Sequence, residues 1–163
     1  MAAVETLEEK LAIIRLHFAD CIGKPLTAYE TAETLLDDEE WSRWDDLPIR
    51  LFFDSADPIS ISWGKFEDLW IEKGNGLPFP LRGSTIRWIL NSINEINPAL
   101  GLQLRSVALG HGYMVMGGND IEIWTRLLLG FDGCWVEIEN ALDQNGYCFH
   151  RDIPAGEFIA VLE

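Results

Sequence analysis

Three side chains near the end of the chain are of types that exchange protons in enzymes. Glu137 and Glu139 lie two residues apart in a segment that reads as a strand, and His150 follows a turn signal at residues 145–146. A two-residue turn would place His150 on the face of both glutamates, where carboxylates favour a protonated imidazole. The group could then act in general acid–base catalysis. We prefer the interpretation that these residues form a charge-paired strand end, because acids near a histidine arise by chance in so acidic a chain. An enzymatic role is therefore disfavoured.

Motifs for metal, nucleotide and nucleophile chemistry are missing from the sequence. Cys148 and His150 lie two residues apart, but a tetrahedral zinc site needs about four ligands. The acids at 37–40 lack the glycine that the sharp turn of a calcium-binding EF-hand loop requires. The glycines at 110–112 and 117–118 precede strand-like residues and read as hairpin turns, not as phosphate-binding loops. We therefore predict no metal and no cofactor.

A second kind of candidate combines acids with tryptophans. Segment 37–46 holds six acids, with Trp41 and Trp44 among them. If the segment is helical, the two indoles share one side, where aromatic rings supply contact area and acids steer a basic partner. In the alternative interpretation, the two tryptophans cover the edge of the core before Pro48.

A predicted hairpin in the last third of the chain offers another such surface. Asp132 and Gly133 favour a tight turn between two strand-like segments, 120–129 and 134–140. Because side chains alternate between the faces of a strand, a two-residue turn places four candidate binding residues on one face: Trp124, Arg126, Trp135 and Glu137. We expect this face to be at least partly exposed. The alternative is that both tryptophans pack beneath a helix while Arg126 pairs with Glu137 across the strands.

Charge narrows the class of partner. The chain has 27 acids against 12 basic residues and a formal net charge of −15. Phosphate binding depends on clusters of lysine and arginine, so nucleic acids and anionic membranes are disfavoured as partners. The first residues do not read as an export signal, and no apolar run approaches the roughly 20 residues of a membrane helix. Three cysteines without a Cys-x-x-Cys pair fit a reducing compartment, so we predict a cytoplasmic protein.

The elements that must position these residues follow from periodicity. A capping box at Thr6 and Glu9 followed by apolar residues at helical spacing predicts a helix near 6–22. Ser84 precedes a second such run and predicts a central helix near 85–97. The pattern of 27–46 suits either helix or strand, whereas 49–53 and 59–63 predict a hairpin.

From residue 102 onward, short strand-like segments alternate with glycine-containing turns. Helices early and mid-chain with strands clustered late predict an α+β fold, which we place in a single domain over residues 1–163. We expect an antiparallel sheet of about five to seven strands, packed against two or three helices.

Size and charge together favour a small protein-interaction module that binds a basic protein. An inhibitor or immunity protein that neutralises a cationic toxin or nuclease is the general analogy, and it rests on charge and size without a motif. Two alternatives stay open at this point. One is a small enzyme with a Glu/His acid–base site, and the other is a structural domain that forms a homodimer through its tryptophan face.

Overall fold

The N-terminal helix is present where the sequence predicts it. The computed structural model describes residues 2–163, and in it α1 spans Leu7–Phe18 and is followed by a 3₁₀ turn at Ala19–Cys21. The Thr6 hydroxyl accepts a hydrogen bond from the Glu9 amide at 3.2 Å, and the Glu9 carboxylate accepts one from the Thr6 amide at 3.2 Å. This reciprocal capping box satisfies two amides that have no partner inside the helix.

Six strands form the first antiparallel sheet: β1 Leu26–Leu35, β2 Trp41–Arg43, β3 Ile49–Phe53, β4 Ile59–Trp63, β5 Leu69–Lys73 and β6 Ile86–Leu90. Glu33 of β1 pairs with Arg43 of β2 and also with Arg87 of β6, so β2 and β6 lie on opposite edges of β1. β3 pairs with the earlier part of β1, and β4 and β5 follow it in order. The segment 27–46, which the sequence left open between helix and strand, therefore contains no helix: it forms β1 and β2, with residues 36–40 between the strands and 44–46 after them.

Five strands form the second antiparallel sheet, in the order β12-β11-β10-β7-β13: β7 Leu104–His111, β10 Trp124–Phe131, β11 Cys134–Asn140, β12 Asn145–His150 and β13 Phe158–Leu162. Two short strands, β8 Val115–Met116 and β9 Asn119–Asp120, pair only with each other. A 3₁₀ turn at Asn97–Ala99 precedes the second sheet.

One hydrophobic core joins the two sheets and α1. Apolar side chains from alternate positions of both sheets are buried in it, among them Leu51, Ile61, Leu127 and Val136. Polar contacts also cross between the sheets, because the Trp63 indole of β4 donates a hydrogen bond to the Ile138 carbonyl of β11 at 2.8 Å.

The predicted α+β fold with two or three helices is wrong. Over residues 2–163 the protein is mostly β, with one N-terminal helix and two antiparallel sheets of six and five strands. The predicted central helix near 85–97 is instead strand β6 and a turn, and Trp88 of β6 pairs with Ala32 of β1. The backbone groups along one edge of β1 are paired by β6. The β-branched and aromatic residues of 86–90 suit such a strand as well as a helix. No helix within residues 2–163 is long and apolar enough to cross a membrane.

Candidate functional site

A buried network of charged groups lies on the second sheet, on the face opposite the core. Adjacent strands β10, β11 and β12 supply its members, Arg126, Glu137 and His150, in that order. The Glu137 carboxylate accepts hydrogen bonds from Nε and Nη2 of Arg126, the latter at 3.3 Å, and from Nε2 of His150 at 2.7 Å. An ionised carboxylate can only accept, which assigns the proton of the imidazole to Nε2. The prediction that these three side chains share a face is confirmed, but the predicted two-residue turn at 145–146 is wrong, because both residues lie in β12 and the connection from β11 spans residues 141–144.

Arg126 is held as a cation by this network. Burial disfavours its charged form, but the hydrogen bond and the charge of Glu137 outweigh that cost, so the pKa of Arg126 is raised. Its guanidinium also lies 4.9 Å from the ring centroid of Phe158 and 5.5 Å from that of Tyr113. Nη1 of Arg126 is buried and has no hydrogen-bond partner within residues 2–163.

Glu137 is the buried counter-ion of Arg126. It is only 2% exposed, and both of its oxygens already face cationic or hydrogen-bonding partners. Glu139 is half-buried and accepts a weak hydrogen bond from the Cys148 thiol at 3.6 Å. A cavity of about 230 Å³ beside the network is lined by Arg126 and Glu139 but by neither Glu137 nor His150. The three candidate catalytic residues therefore do not surround one cavity.

Trp124 does not lie on this face, contrary to the prediction. It pairs with His111, and the register between β10 and β7 shifts between Trp124 and Arg126. This bulge turns the indole into the core, where it is 6% exposed, and its backbone carbonyl accepts a hydrogen bond from the buried Lys10 ammonium at 2.9 Å. A bulge adds one residue to the strand, so an alternation pattern read from the turn fails beyond it.

Trp135 lies on the predicted face and is half-buried. Its ring rests across Gly130, since a β-carbon added to that glycine would come within 2.7 Å of the indole. The two-residue turn at Asp132 and Gly133 is confirmed by the pairing of Phe131 with Cys134. Of the four predicted binding residues of this hairpin, Arg126 and Glu137 are buried and Trp135 alone is partly accessible.

The acidic segment forms the end of a hairpin. Leu35 of β1 pairs with Trp41 of β2, and residues 36–40 between them, which we call the acidic tip, are all exposed. Glu39 has a positive φ of 64°, which closes the turn. Within residues 2–163 the four carboxylates of the tip, Asp37, Asp38, Glu39 and Glu40, make no ion pair.

The tryptophans beside the acidic tip are held in separate ways. The Arg87 guanidinium lies 4.2 Å from the ring centroid of Trp41. Trp44 packs against Phe79 at a centroid distance of 6.0 Å, and its indole donates a hydrogen bond to Asp46 at 3.1 Å. Both indoles are half-buried, and they lie on a strand and its following turn, not on one side of a helix.

Most basic residues are paired inside the molecule, which leaves the surface acidic. Seven of the twelve form ion pairs with acids in residues 2–163: Lys10, Arg43, Arg50, Lys73, Arg87, Arg105 and Arg126. These pairs use seven of the 27 acids, and most of the other acids are exposed, so the excess negative charge lies on the surface.

Two exposed apolar residues that the sequence did not single out lie close together. Phe66 is 44% exposed and Leu142 is 97% exposed, and the backbone amide of Phe66 donates a hydrogen bond to Asp143, the residue after Leu142, at 2.6 Å. Both occupy loops without a recognisable motif, so only the fold reveals their proximity.

No protein-family model matches the chain, and neither do curated proteins or solved structures. Within residues 2–163, no group of three or more His, Cys, Asp or Glu side chains is arranged to hold a metal ion.

Proposed function

We propose that this chain is a protein-interaction module that binds a basic protein, in the manner of an inhibitor or immunity protein. The acidic tip is the observation that carries this proposal. Four consecutive exposed carboxylates project from the end of a hairpin without an internal cation to balance them. Their mutual repulsion is relieved when a cationic surface approaches, and long-range attraction speeds the encounter.

The flanking residues favour a protein over a small cation as the partner. Leu35, the last residue of β1, is 37% exposed, and Leu36, the first residue of the acidic tip, is 44% exposed. The half-buried Trp41 closes the hairpin on the other side. Apolar area next to charge is what a protein partner can cover, and a free inorganic cation would leave it in water. Cys21, Cys134 and Cys148 are all free thiols, which supports our placement of the protein in a reducing compartment such as the cytoplasm.

The test compares two variants that each remove four negative charges. The tip variant combines Asp37→Asn, Asp38→Asn, Glu39→Gln and Glu40→Gln. The control combines Asp54→Asn, Asp152→Asn, Glu157→Gln and Glu163→Gln, which are exposed acids elsewhere on the surface. The two variants match in number and type of substitution, so they differ only in where the charge is lost.

Immobilised wild-type protein and both variants are incubated with lysate of the source cells at low salt and then eluted with increasing salt. We expect a basic protein that elutes from the wild type and the control at similar salt, and that the tip variant fails to retain. Equal retention by all three proteins would contradict a role for the tip. Recovery of no basic protein, or of salt-insensitive proteins alone, would contradict the proposed function itself.

A further inference from the structure

Two bulky residues on neighbouring loops combine a strained backbone with an exposed apolar side chain. Phe66 has a φ of 63° and Leu142 a φ of 57°, and Asp143 follows with 67°. This left-handed region costs a residue with a large side chain roughly 1–2 kcal/mol. Residues held in such conformations cluster at functional sites, where surrounding contacts maintain the strain. Packing cannot repay this cost for Leu142, which is 97% exposed, and the ring of Phe66 still leaves 44% of its surface in solvent.

Polar contacts between the loops hold both residues in place. The Asn140 side-chain amide donates hydrogen bonds to the carbonyls of Gly64 and Phe66, at 3.0 and 2.7 Å. The Asn140 side-chain oxygen in turn accepts a hydrogen bond from the Asp143 amide at 2.8 Å, and the Asp143 carboxylate accepts one from the Phe66 amide at 2.6 Å. This set of four hydrogen bonds pre-organises the two apolar side chains in solvent, which lowers the entropy cost of binding something to them.

A cavity lies on each side of Leu142, and carboxylates line both. The first, of about 230 Å³, is lined by the aromatic residues Phe66 and Tyr113 and by the acids Glu139 and Asp143. Its single cation, Arg126, is already paired with Glu137. The lining therefore combines apolar surface with a net negative charge.

The second cavity, of about 430 Å³, shares Leu142 and Asp143 with the first. Asp46 and Asp68 add two carboxylates to its wall, Lys65 adds one ammonium group, and Phe79 adds an aromatic surface. Acids outnumber bases here as well. The long side chains of lysine and arginine suit such a site, because their methylene stems cover apolar surface while their charged heads reach carboxylates.

We infer that Phe66 and Leu142 are the apolar anchors of a docking surface for a basic protein segment, whose lysine or arginine side chains enter the two flanking cavities. This inference rests on the proposed function, because it names a surface for the same class of partner. It is a separate surface from the acidic tip: no tip residue lines either cavity. Charge complementarity selects the occupant, and the strained loops explain why two apolar side chains stay exposed.

The decisive variant is Leu142→Asn. Asparagine adopts a positive φ more readily than leucine, and an exposed position has no packing to lose, so the melting temperature should stay constant or rise. Leu90→Asn is the control, because Leu90 is also an exposed leucine, at 60%, and lies on β6. Phe66→Asn provides a second variant on the neighbouring loop, where asparagine again suits the backbone.

The probe is a short fluorescent peptide of alternating lysine and leucine, and a peptide of alternating glutamate and leucine serves as the negative control. Fluorescence anisotropy measures the affinity at low and at physiological salt, and backbone amide shifts in NMR spectra locate the contact. We expect shifts at 64–68 and 139–144 that only the lysine peptide causes. Leu142→Asn and Phe66→Asn should each weaken binding by about tenfold, as expected for anchor residues, while Leu90→Asn leaves it unchanged.

Three outcomes would overturn the inference. One is equal affinity of the lysine peptide for wild type and Leu142→Asn, and another is a melting temperature that falls in Leu142→Asn, which would make Leu142 a structural residue. Binding of the peptide at 36–40 alone would also overturn it while leaving the proposed function intact. If the tip variant loses its basic partner from lysate but the peptide still shifts the amide signals of 139–144, the docking surface binds basic segments without the acidic tip.

Discussion

Removing the charge of Glu137 should destabilise the protein strongly, because that carboxylate is the counter-ion of a buried arginine. In Glu137→Gln the shape is kept, but the Arg126 cation, 8% exposed, loses its only acidic partner in the network. Breaking a buried ion pair by removing one member costs roughly 3–5 kcal/mol, because an uncompensated charge stays in the interior. His150 also loses an ionised acceptor. For a chain of this length we expect a melting temperature lower by roughly 6–20 °C, since 1 kcal/mol shifts it by about 2–4 °C.

The same hairpin offers a matched control. Arg105 and Asp132 form an ion pair with nitrogen–oxygen distances of 2.7 and 3.1 Å, but their side chains are 55% and 49% exposed. Asp132→Asn should therefore cost no more than about 1 kcal/mol. Equilibrium unfolding in urea, followed by tryptophan fluorescence and far-UV circular dichroism, measures both variants. If Glu137→Gln proves no more destabilising than Asp132→Asn, the network is not the buried counter-ion system described above.

Three further outcomes are expected. Asn145→Ala removes the side chain that bonds the Trp63 amide at 2.8 Å and the Ile61 carbonyl at 2.9 Å. This variant should lower the unfolding free energy by roughly 2–5 kcal/mol, because two buried backbone groups lose their partners. Gln144→Ala on the exposed loop is the control and should change the unfolding free energy little. Burial lowers the pKa of His17 from the ordinary 6.5, with the charge of Lys73 adding to the effect. The unfolded state thus binds more protons just below 6.5, and the melting temperature should fall as the solution is acidified through that range, less so in His17→Gln. Gly130→Ala brings a β-carbon into the neighbouring indole and should cost roughly 1–3 kcal/mol in urea unfolding.

Local patterns predicted the parts of the fold that local chemistry determines. The capping box at Thr6 positions α1, and the Asp-Gly turn at 132–133 sets the register of β10 and β11. That register brings Arg126 and Glu137 onto one face, as the alternation pattern indicated, whereas His150 joins them through the pairing of β12 with β11. Each of these features depends on residues that are neighbours in sequence or joined by a tight turn.

Features that depend on distant partners could not be predicted. Residues 86–90 have apolar spacing compatible with a helix, and only the free edge of β1 makes them a strand. The bulge before Arg126 leaves no mark in the sequence, yet it moves Trp124 from the predicted surface into the core. The proposed docking surface around Leu142 is the clearest case, because hydrogen bonds of Phe66 with Asn140 and Asp143 bring together loops that are more than seventy positions apart.

The buried arginines of this protein do not reduce the negative charge of its surface. Arg50 is buried against Glu30 at 3.3 Å with its guanidinium 3.6 Å from the Trp88 ring centroid, and Arg126 is buried in a comparable setting. Each of these arginines is paired with an acid, so the pairs are neutral and the net charge of −15 resides on other side chains, including the acidic tip and the carboxylates that line the cavities beside Leu142. Repulsion among those exposed carboxylates persists in the free protein, although salt screens it. A cationic surface would lower this repulsion further, and that gain is the physical basis of the basic partner that we propose.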